Sequence, residues 1–210
     1  MVCGHNVCGL NNRTVREIIF LGRSNVGKST LLHQLIGKKV RIGRKPGVTL
    51  KPNHFYFDDL LITDLPGFGF MQGLKKHKCE QIKNLIVHYL EDNSDRILLA
   101  VQVIDAGSFI DLVDRWNMRG EIPVDVEFFN FLHDIDLDVV VAVNKIDKLT
   151  ELESEIDEIV QRLGFCPPWR QWRDQLVLIC AKKGQIGELR ELIKGRLHDI
   201  GRDDLLKYFS

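Results

Sequence analysis

The residues best suited to chemistry in this sequence lie between positions 22 and 30. Gly22, Gly27, Lys28 and Ser29 have the spacing G-x-x-x-x-G-K-S. In that pattern a tight turn directs several backbone N–H groups at one anion, the lysine ammonium contacts phosphate oxygens, and the serine hydroxyl is a ligand for Mg²⁺. The pattern predicts a phosphate-binding loop formed by Gly22, Arg23, Ser24, Asn25, Val26, Gly27, Lys28, Ser29 and Thr30.

The segments on either side of this loop support the prediction. Residues 18–21 are all apolar, as in a strand buried on both faces, and Leu31, Leu32 and Leu35 have helical spacing before Gly37. The alternative is a chance match in a glycine-containing turn. A strand before the loop and a helix after it argue against that alternative, because the helix adds the positive end of its dipole to the site.

A second group of candidate residues follows another apolar strand, where Asp64 and Gly67 form a D-x-x-G turn. We expect the Asp64 carboxylate to reach Mg²⁺ through water, because this ion keeps several waters, and the Gly67 N–H to face the terminal phosphate. Asp and Gly are common turn residues. The turn therefore indicates a nucleotide site only in combination with the phosphate loop.

Two further strand ends are predicted to recognise the base. Asp147 has paired oxygens that can accept the N1–H and N2–H₂ donors of guanine, an edge that adenine lacks. We expect the Lys145 stem to lie along the base with its ammonium in water, and Asn144 to connect its strand end to the phosphate loop. A backbone N–H near Ala181 would meet the guanine carbonyl, whereas the alternative is an ordinary polar turn. The predicted base site comprises Asn144, Lys145, Asp147, Cys180, Ala181 and Lys182.

Thr49 is the single threonine of a basic stretch at residues 38–49, which contains Gly and Pro and is predicted to be a mobile loop. Its hydroxyl could complete the Mg²⁺ shell only while the terminal phosphate holds the loop in place. Hydrolysis would then release the loop, which is an order–disorder switch. A lone loop threonine is also a common surface residue, and this alternative stays open.

The remaining pattern indicates an α/β fold. Residues 54–57 and 60–63 flank Asp58-Asp59 as in a hairpin. Apolar strands that alternate with helices predict a mostly parallel six-stranded sheet with one antiparallel strand and helices on both faces. Ligands of such sheets bind at the carboxyl ends of strands, where all the candidate groups fall. Further strands are predicted at 96–105, 138–143 and 175–180, and helices at 74–91, 124–133, 151–163 and 186–198.

Length and composition fit one ordinary globular domain. The chain has 210 residues, 44% of them hydrophobic, with a formal net charge of zero, so any nucleic-acid binding must come from local patches. We expect one domain over residues 14–200, with a flexible head at 1–13, an irregular insertion or loop at 106–123 and a tail at 201–210.

The cysteines and apolar runs predict a cytosolic location. Five cysteines at scattered spacings indicate a reducing compartment, and no apolar run is long enough to cross a membrane. Cys3, His5 and Cys8 could form half of a zinc site, but no second half accompanies them in the sequence. A frayed terminus is therefore the expected state of the head.

These motifs together resemble the five G motifs of the EngB (YihA-type) GTPases, in the TrmE–Era–EngA–EngB branch of P-loop proteins. The most specific segment is Asp-Leu-Pro-Gly-Phe-Gly-Phe at residues 64–70, which is similar to the D-L-P-G-Y-G-Y run of that family. Gly47 and Thr49 match the switch motif, and the resemblance covers roughly residues 16–198. It implies a Ras-like fold, GTP and Mg²⁺ as ligands, and a role in assembly of the large ribosomal subunit. The implied metal ligands are Ser29, Thr49 and Asp64, the last through water, and the implied catalytic residues are Lys28, Thr49, Gly67 and Asn25.

Three positions depart from the family pattern. Val48 stands where a basic residue is usual, Asn144 where threonine is usual, and Cys180 where serine is usual. Together with the long 106–123 segment, they indicate a divergent, archaeal-like branch of the family.

The resemblance also bears on hydrolysis. Phe68 stands where Ras-type switches carry a glutamine that orients the attacking water. Its side chain can neither donate nor accept a hydrogen bond, which predicts slow intrinsic hydrolysis. In related GTPases an asparagine at the position of Asn25 helps to hold K⁺ against the phosphates, and the alternative for Asn25 is a structural role in the turn.

Two basic runs beside the switch segments suggest rRNA as a partner, with an ordinary solvated surface as the alternative. The principal hypothesis is a monomeric cytoplasmic GTPase that binds GTP or GDP and associates with rRNA or the large ribosomal subunit, without a membrane. The rival is a GTP- or GDP-dependent switch that recruits a protein partner and has no ribosomal role. Asp147 disfavours an ATPase. The basic residues are Lys38, Lys39, Arg41, Arg44, Lys45, Lys75, Lys76 and Lys78.

Overall fold

The computed structural model describes residues 15–37, 51–69 and 76–209. Strands and helices alternate along this part of the chain, as the apolar pattern predicted, apart from one β-hairpin and one pair of consecutive helices. The strands are β1 (Arg16–Gly22), β2 (Asn53–Phe57), β3 (Leu60–Asp64), β4 (Ile97–Asp105), β5 (Val139–Asn144) and β6 (Leu176–Ile179). The helices are α1 (Lys28–Ile36), α2 (Lys76–Asn93), α3 (Ala106–Asn117), α4 (Val124–Asp134), α5 (Leu152–Arg162) and α6 (Gly187–Asp199).

The sheet confirms the predicted topology. Its strand order is β2-β3-β1-β4-β5-β6. β2 pairs with β3 in antiparallel register, and every other pairing is parallel. Because β1 lies in the middle of the sheet, the loop that follows it leaves from the centre of the carboxyl edge. The ends of β3, β4 and β5 reach the same edge.

The two faces of β1 pack against different helices. Ile18 and Phe20 belong to a core formed with α1 and α6, whereas Ile19 and Leu21 belong to a core formed with α2, α3, α4 and α5. All four side chains are fully buried. Burial of a side chain of this size contributes about 1.5–3 kcal/mol, so the strand before the phosphate loop is a rigid support for it.

Residues 106–117 are helical, which corrects the prediction of an irregular segment at 106–123. The Asp105 side chain accepts a hydrogen bond from the Gly107 N–H (3.2 Å) and caps α3. Phe109 and Val113 lie one turn apart and are both buried in the core. The irregular part is the short connection between α3 and α4.

The predicted tail at 201–210 is also corrected, because most of it is packed against the domain. Asp203–Phe209 forms a 3₁₀ helix, and Leu205 and Phe209 are fully buried. Arg202 pairs with Asp59 in the β2–β3 turn. The ordered domain therefore extends to residue 209.

Several predictions concern residues outside the described ranges. These are the head at 1–13, the loop at 38–49 with Gly47 and Thr49, and residues 70–75 after the D-x-x-G turn. Among the helices of the described ranges, none has the length and apolarity needed to cross a membrane.

Candidate nucleotide-binding site

The phosphate loop has a backbone path that requires glycine at two positions. Gly22 has φ of 154°, and a Cβ there would lie 2.4 Å from the Val103 carbonyl oxygen. Gly27 has φ of 97°, and a Cβ there would lie 2.4 Å from the Asn144 Nδ2 atom. Both values lie in the region that L-residues rarely adopt. The loop therefore approaches β4 and β5 more closely than any larger residue would permit.

Lys28 connects the phosphate loop to the end of β3. Its ammonium pairs with the Asp64 carboxylate and donates to the Leu65 carbonyl oxygen at 2.7 Å. The lysine side chain is 9% exposed and the aspartate side chain 14%. The residues predicted to serve the phosphates and Mg²⁺ therefore meet at one point of the sheet edge.

The donor types at this point fit Mg²⁺. Ser29 is exposed on the first turn of α1, and Asp64 ends β3. A hydroxyl and a carboxylate are hard oxygen ligands, and Mg²⁺ needs few protein ligands because it keeps waters and binds phosphate oxygens. Within residues 15–37, 51–69 and 76–209, no group of three or more His, Cys, Asp or Glu side chains could enclose a metal ion. The arrangement suits an ion that is shared with phosphate.

Asn144 connects its strand end to the phosphate loop, as the sequence predicted, and also to the end of β6, which it did not. Its side chain is buried at the end of β5. The Nδ2 group donates to the Val26 carbonyl in the phosphate loop (2.8 Å), and the Oδ1 atom accepts from the Ala181 N–H after β6 (3.0 Å). Asn144 thus fixes the phosphate side and the base side of the site relative to each other.

We expect Asn144→Ala to destabilise the protein and to weaken GTP and GDP binding to a similar degree. The change leaves one buried acceptor and one buried donor without partners, at about 1–3 kcal/mol each. Chemical denaturation and isothermal titration measure the two effects. Asn93→Ala is a matched control, because among the residues that the structure describes the Asn93 side chain donates only to the Tyr89 carbonyl near the end of α2. Unchanged nucleotide affinity in Asn144→Ala would contradict the expectation.

Lys145 is more constrained than the sequence suggested. It adopts a left-handed backbone conformation with φ of 66°, and its ammonium donates to the Asn25 carbonyl and to Asp105 Oδ2, both at 2.6 Å. The ammonium was predicted to stay in water; the lysine side chain is 26% exposed, and these two hydrogen bonds were not predicted. Asp105 also lies 3.5 Å from the Lys148 ammonium, so this carboxylate orients the lysine at the base site.

Asp147 and Cys180 are in direct contact. The Cys180 thiol donates to Asp147 Oδ1 at 3.1 Å. Asp147 is exposed, and Cys180 is buried. The thiol hydrogen bond holds the pKa of the Asp147 carboxyl below its ordinary value, and the nearby lysines Lys183 and Lys182 add to this effect. The side chain predicted to recognise the base is therefore ionised at neutral pH and oriented by Cys180.

Residues 65–69, which follow Asp64 and include Gly67 of the D-x-x-G turn, lie directly against the phosphate loop. The Ser24 N–H donates to the Phe68 carbonyl (3.2 Å), and the Phe68 N–H donates to the Gly22 carbonyl (3.4 Å). A Cβ at Gly67 would lie 2.8 Å from the Ser24 hydroxyl oxygen. The Phe68 ring is buried, 4.6 Å from the Phe128 ring centre to centre. A buried phenylalanine at this position cannot orient an attacking water.

Arg23 makes a long-range ion pair on the far side of this turn. Its guanidinium donates to Asp125 Oδ2 in the first turn of α4 at 3.0 Å. Burial raises the pKa of the Asp125 carboxyl to about 6, although the Arg23 charge and hydrogen bonds oppose the shift. Gln102, fully buried in β4, donates to the Asp125 carbonyl at 2.7 Å.

This raised pKa predicts a pH dependence of stability. Because the folded-state pKa of Asp125 lies above the unfolded value of 3.8, the native state binds more protons between these values. The stabilisation therefore declines as the pH rises toward about 6. Between pH 4.5 and 7 the unfolding free energy of the wild type should fall by about 2 kcal/mol relative to Asp125→Asn.

Urea denaturation at several pH values tests this expectation. Asp114→Asn is the matched control, because the hydrogen bond from Arg162 lowers the pKa of the Asp114 carboxyl. Its contribution is lost only below the ordinary aspartate pKa, so its difference from the wild type should stay constant over the same range. If the difference in unfolding free energy between Asp125→Asn and the wild type were also constant with pH, the raised pKa of Asp125 would be contradicted.

Three contributors to the site were not found in the sequence: Asp105, Asp125 and the thiol of Cys180. For Asp105 a signal existed, because it ends an apolar strand at the edge where ligands bind. Asp125 stands 102 positions from Arg23, and no local pattern connects them. The Cys180 contact depends on how two loops approach each other.

Asn25 lies in a left-handed conformation, and its side chain forms no hydrogen bond within the described part of the chain.

Comparison with known proteins agrees with a GTP-binding site of this geometry. Residues 17–145 match a family profile described as 50S ribosome-binding GTPase. The probable GTP-binding protein EngB of Methanosarcina mazei is 54% identical over 194 residues, covering 91% of this chain and 93% of that protein. A crystal structure of a probable GTP-binding protein EngB superposes with a TM-score of 0.79 at 43% identity, covering 87% of this chain and 99% of that one.

A more distant solved structure is a complex with nucleotide and RNA. Era in complex with MgGDPNP and nucleotides 1506–1542 of 16S ribosomal RNA superposes with a TM-score of 0.55 at 27% identity, covering 94% of this chain and 57% of that one. The EngB and Era similarities confirm the predicted Ras-like P-loop fold.

Proposed function

Because this chain belongs to the EngB family of GTP-binding proteins and carries its GTPase domain, we propose that it is a slowly hydrolysing GTP switch that acts in assembly of the large ribosomal subunit. The observation that carries the proposal is the position of Asn144. Its two hydrogen bonds hold the phosphate loop, the Asp147 turn and the exit of β6 at one edge of the sheet.

The phosphate side of the site would work through Lys28 and the loop amides. On binding, the Lys28 ammonium would exchange the Asp64 carboxylate for the β- and γ-phosphates of GTP. Ser29 and, through water, Asp64 would hold Mg²⁺, which offsets phosphate charge. Thr49 is proposed as a further ligand, and Gly67 would donate its N–H to the γ-phosphate. Such donors stabilise charge that develops in the transition state.

The base side would select guanine through Asp147. Its ionised carboxylate would accept from N1–H and N2–H₂, with Cys180 fixing one oxygen. The Ala181 N–H already donates to Asn144, so the guanine carbonyl would share this donor or use the N–H of Lys182. The Lys145 stem would cover the base while Asp105 holds its ammonium.

Slow intrinsic hydrolysis is supported by the buried ring of Phe68. A cation near the phosphates would offset developing charge, and we propose K⁺ at Asn25 as that cation. Hydrolysis measured in KCl should exceed hydrolysis in NaCl at equal ionic strength, and Asn25→Ala should remove the difference. Equal rates in both salts, with and without a partner, would leave Asn25 a structural role only.

The large-subunit role is supported by the profile described as 50S ribosome-binding GTPase, whereas the Era structure, which holds a 16S rRNA fragment, supports rRNA binding in general. The basic residues proposed to contact rRNA lie mostly outside the described ranges, but Lys78 is exposed on α2. Contacts with phosphates make binding depend strongly on salt. Filter binding of GTP- and GDP-loaded protein to rRNA therefore tests this contact. Equal affinity of the two forms for rRNA, or binding that does not depend on salt, would contradict the proposed rRNA contact.

Cosedimentation with large ribosomal subunits is the decisive experiment. We expect the protein to sediment with the subunit in a non-hydrolysable GTP analogue and to stay in the supernatant with GDP. Lys28→Met, which should not bind the analogue, is the control. Protein that binds the analogue but never sediments with subunits would instead favour a GTP-dependent switch that recruits a protein partner.

A further inference from the structure

The ion pair between Arg23 and Asp125 is unusual in its location. Arg23 is the second residue of the phosphate loop, yet its side chain extends away from Lys28 to a helix 102 positions later in the chain. The aspartate side chain is 2% exposed and the arginine side chain 15%. A charge pair this deep usually costs as much in lost hydration as it returns in attraction, so stability alone does not explain it.

The guanidinium of Arg23 supports the 65–69 turn. A Cβ at Gly69 would lie 2.8 Å from Arg23 Cζ and 3.0 Å from Nε, so the turn backbone lies directly on the guanidinium group. Phe68 forms a parallel bridge with Arg23, and its ring packs on Phe128 of α4. The turn is therefore enclosed between the phosphate loop and α4, with the ion pair as the polar link between them.

Gln102 adds a third element to this cluster. Its Nε2 group fixes the Asp125 carbonyl, and β4 pairs it with Leu21, two residues before Arg23. Its Oε1 atom is buried and has no hydrogen-bond partner within the described part of the chain. A buried acceptor without a partner is costly and uncommon. This polar cluster is thus maintained beside the site at the expense of stability, which is typical of functional positions.

We propose that Arg23 and Asp125 are positioning residues that hold the 65–69 turn where the Gly67 N–H meets the γ-phosphate, and so set the preference for GTP over GDP and the hydrolysis rate. This inference rests on the proposed GTP site. We expect neither side chain to contact the nucleotide, because they are paired with each other beside the turn. Their effect is exerted through Gly69 and Phe68 on the neighbouring Gly67.

The two nucleotides distinguish this role from a general structural one. GDP lacks the γ-phosphate, so its binding does not depend on the Gly67 N–H. We expect Arg23→Gln and Asp125→Asn each to weaken binding of a non-hydrolysable GTP analogue about tenfold and to lower kcat for GTP hydrolysis. The Kd for GDP should stay within about threefold of the wild type. Arg23→Lys should be impaired as well, because lysine keeps the charge but lacks the flat, forked group that supports Gly69.

A double-mutant cycle tests whether the two residues act together. If they form one unit, Arg23→Gln/Asp125→Asn should lose no more GTP-analogue affinity than either single variant. Arg162→Gln is the control, because Arg162 also makes an ion pair, with Asp114 between α5 and α3 (2.8 Å), but outside the phosphate loop and the 65–69 turn. Equal losses for GDP and the analogue, additive losses, or no loss would overturn the proposal.

Hydrogen exchange of the 65–69 amides gives a readout that needs no nucleotide. The Phe68 N–H donates to Gly22 and should exchange faster in Arg23→Gln and Asp125→Asn than in the wild type or Arg162→Gln. If the wild type failed to bind GTP, the proposed function would fall, while this measurement would still decide whether the pair holds the turn. Unchanged exchange in both variants would overturn the positioning role even where GTP binds normally.

Discussion

Asp147→Asn is expected to weaken GTP binding by roughly 100-fold or more and to give the protein measurable affinity for xanthosine triphosphate. With guanine, the amide oxygen can still accept from N1–H but without the carboxylate charge, and the amide NH₂ faces the N2–H₂ donor, so one charge-assisted hydrogen bond, worth about 1.5–3 kcal/mol, is replaced by a donor–donor contact and the other is weakened. An asparagine amide offers one acceptor and one donor, which match the N1–H and the C2 carbonyl of xanthine. The variant should keep its fold, because Asp147 is exposed and outside the core.

Competition titrations with GTP, ATP and xanthosine triphosphate measure the change in base specificity. Asp111→Asn is the control, since Asp111 is also an exposed aspartate but lies on α3. Cys180→Ser should retain guanine binding, because a hydroxyl can also donate to Asp147. If Asp147→Asn bound GTP as tightly as the wild type, the base site would lie elsewhere and the identification of guanine would be lost.

Lys28→Met is expected to abolish detectable hydrolysis and to weaken GTP binding by about 1,000-fold. The change keeps an apolar stem but removes the charge that would contact two phosphates, each contact being worth about 1.5–3 kcal/mol. It also leaves the largely buried Asp64 carboxylate without its cation. Breaking such a pair by removing one partner destabilises proteins by about 3–5 kcal/mol.

The double variant Lys28→Met/Asp64→Asn separates these two effects. Removing the carboxylate charge should restore most of the lost stability, because no unpaired ion then remains, but it should not restore nucleotide binding. Lys194→Met is the control, since Lys194 forms a surface pair with Glu191 on α6 (3.0 Å). If the double variant regained GTP affinity together with its stability, Lys28 would be a structural residue and not the phosphate ligand.

We expect base specificity and catalysis to depend on different parts of this sheet edge. Asp147 and Cys180 lie at the ends of β5 and β6, whereas Lys28, Asp64 and Gly67 lie around β1 and β3. The buried Asn144 is the link between the two halves. We therefore expect the Asp147 variant to change which base is bound and the Lys28 variant to weaken phosphate binding and hydrolysis. Neither variant should have much effect on the other property.

The sequence by itself determined the features that depend on local spacing. A phosphate loop needs its glycines, lysine and serine within eight consecutive residues, and a buried strand needs a short apolar run. Both are visible without a structure. The six strands, the hairpin around Asp58 and the link from Asn144 to the loop followed from such patterns, since all these groups end at the same edge of a parallel sheet.

Only the tertiary structure decided which distant side chains meet. Arg23 pairs with Asp125 because α4 packs beside the phosphate loop. Asp105 forms an ion pair with Lys145 because the ends of β4 and β5 are neighbours in the sheet. The helix at 106–117 and the packed segment at 203–209 were missed for the same reason. Their apolar residues, such as Phe109 and Phe209, are buried by partners that lie far away in the sequence, so local spacing gives too little information to place them.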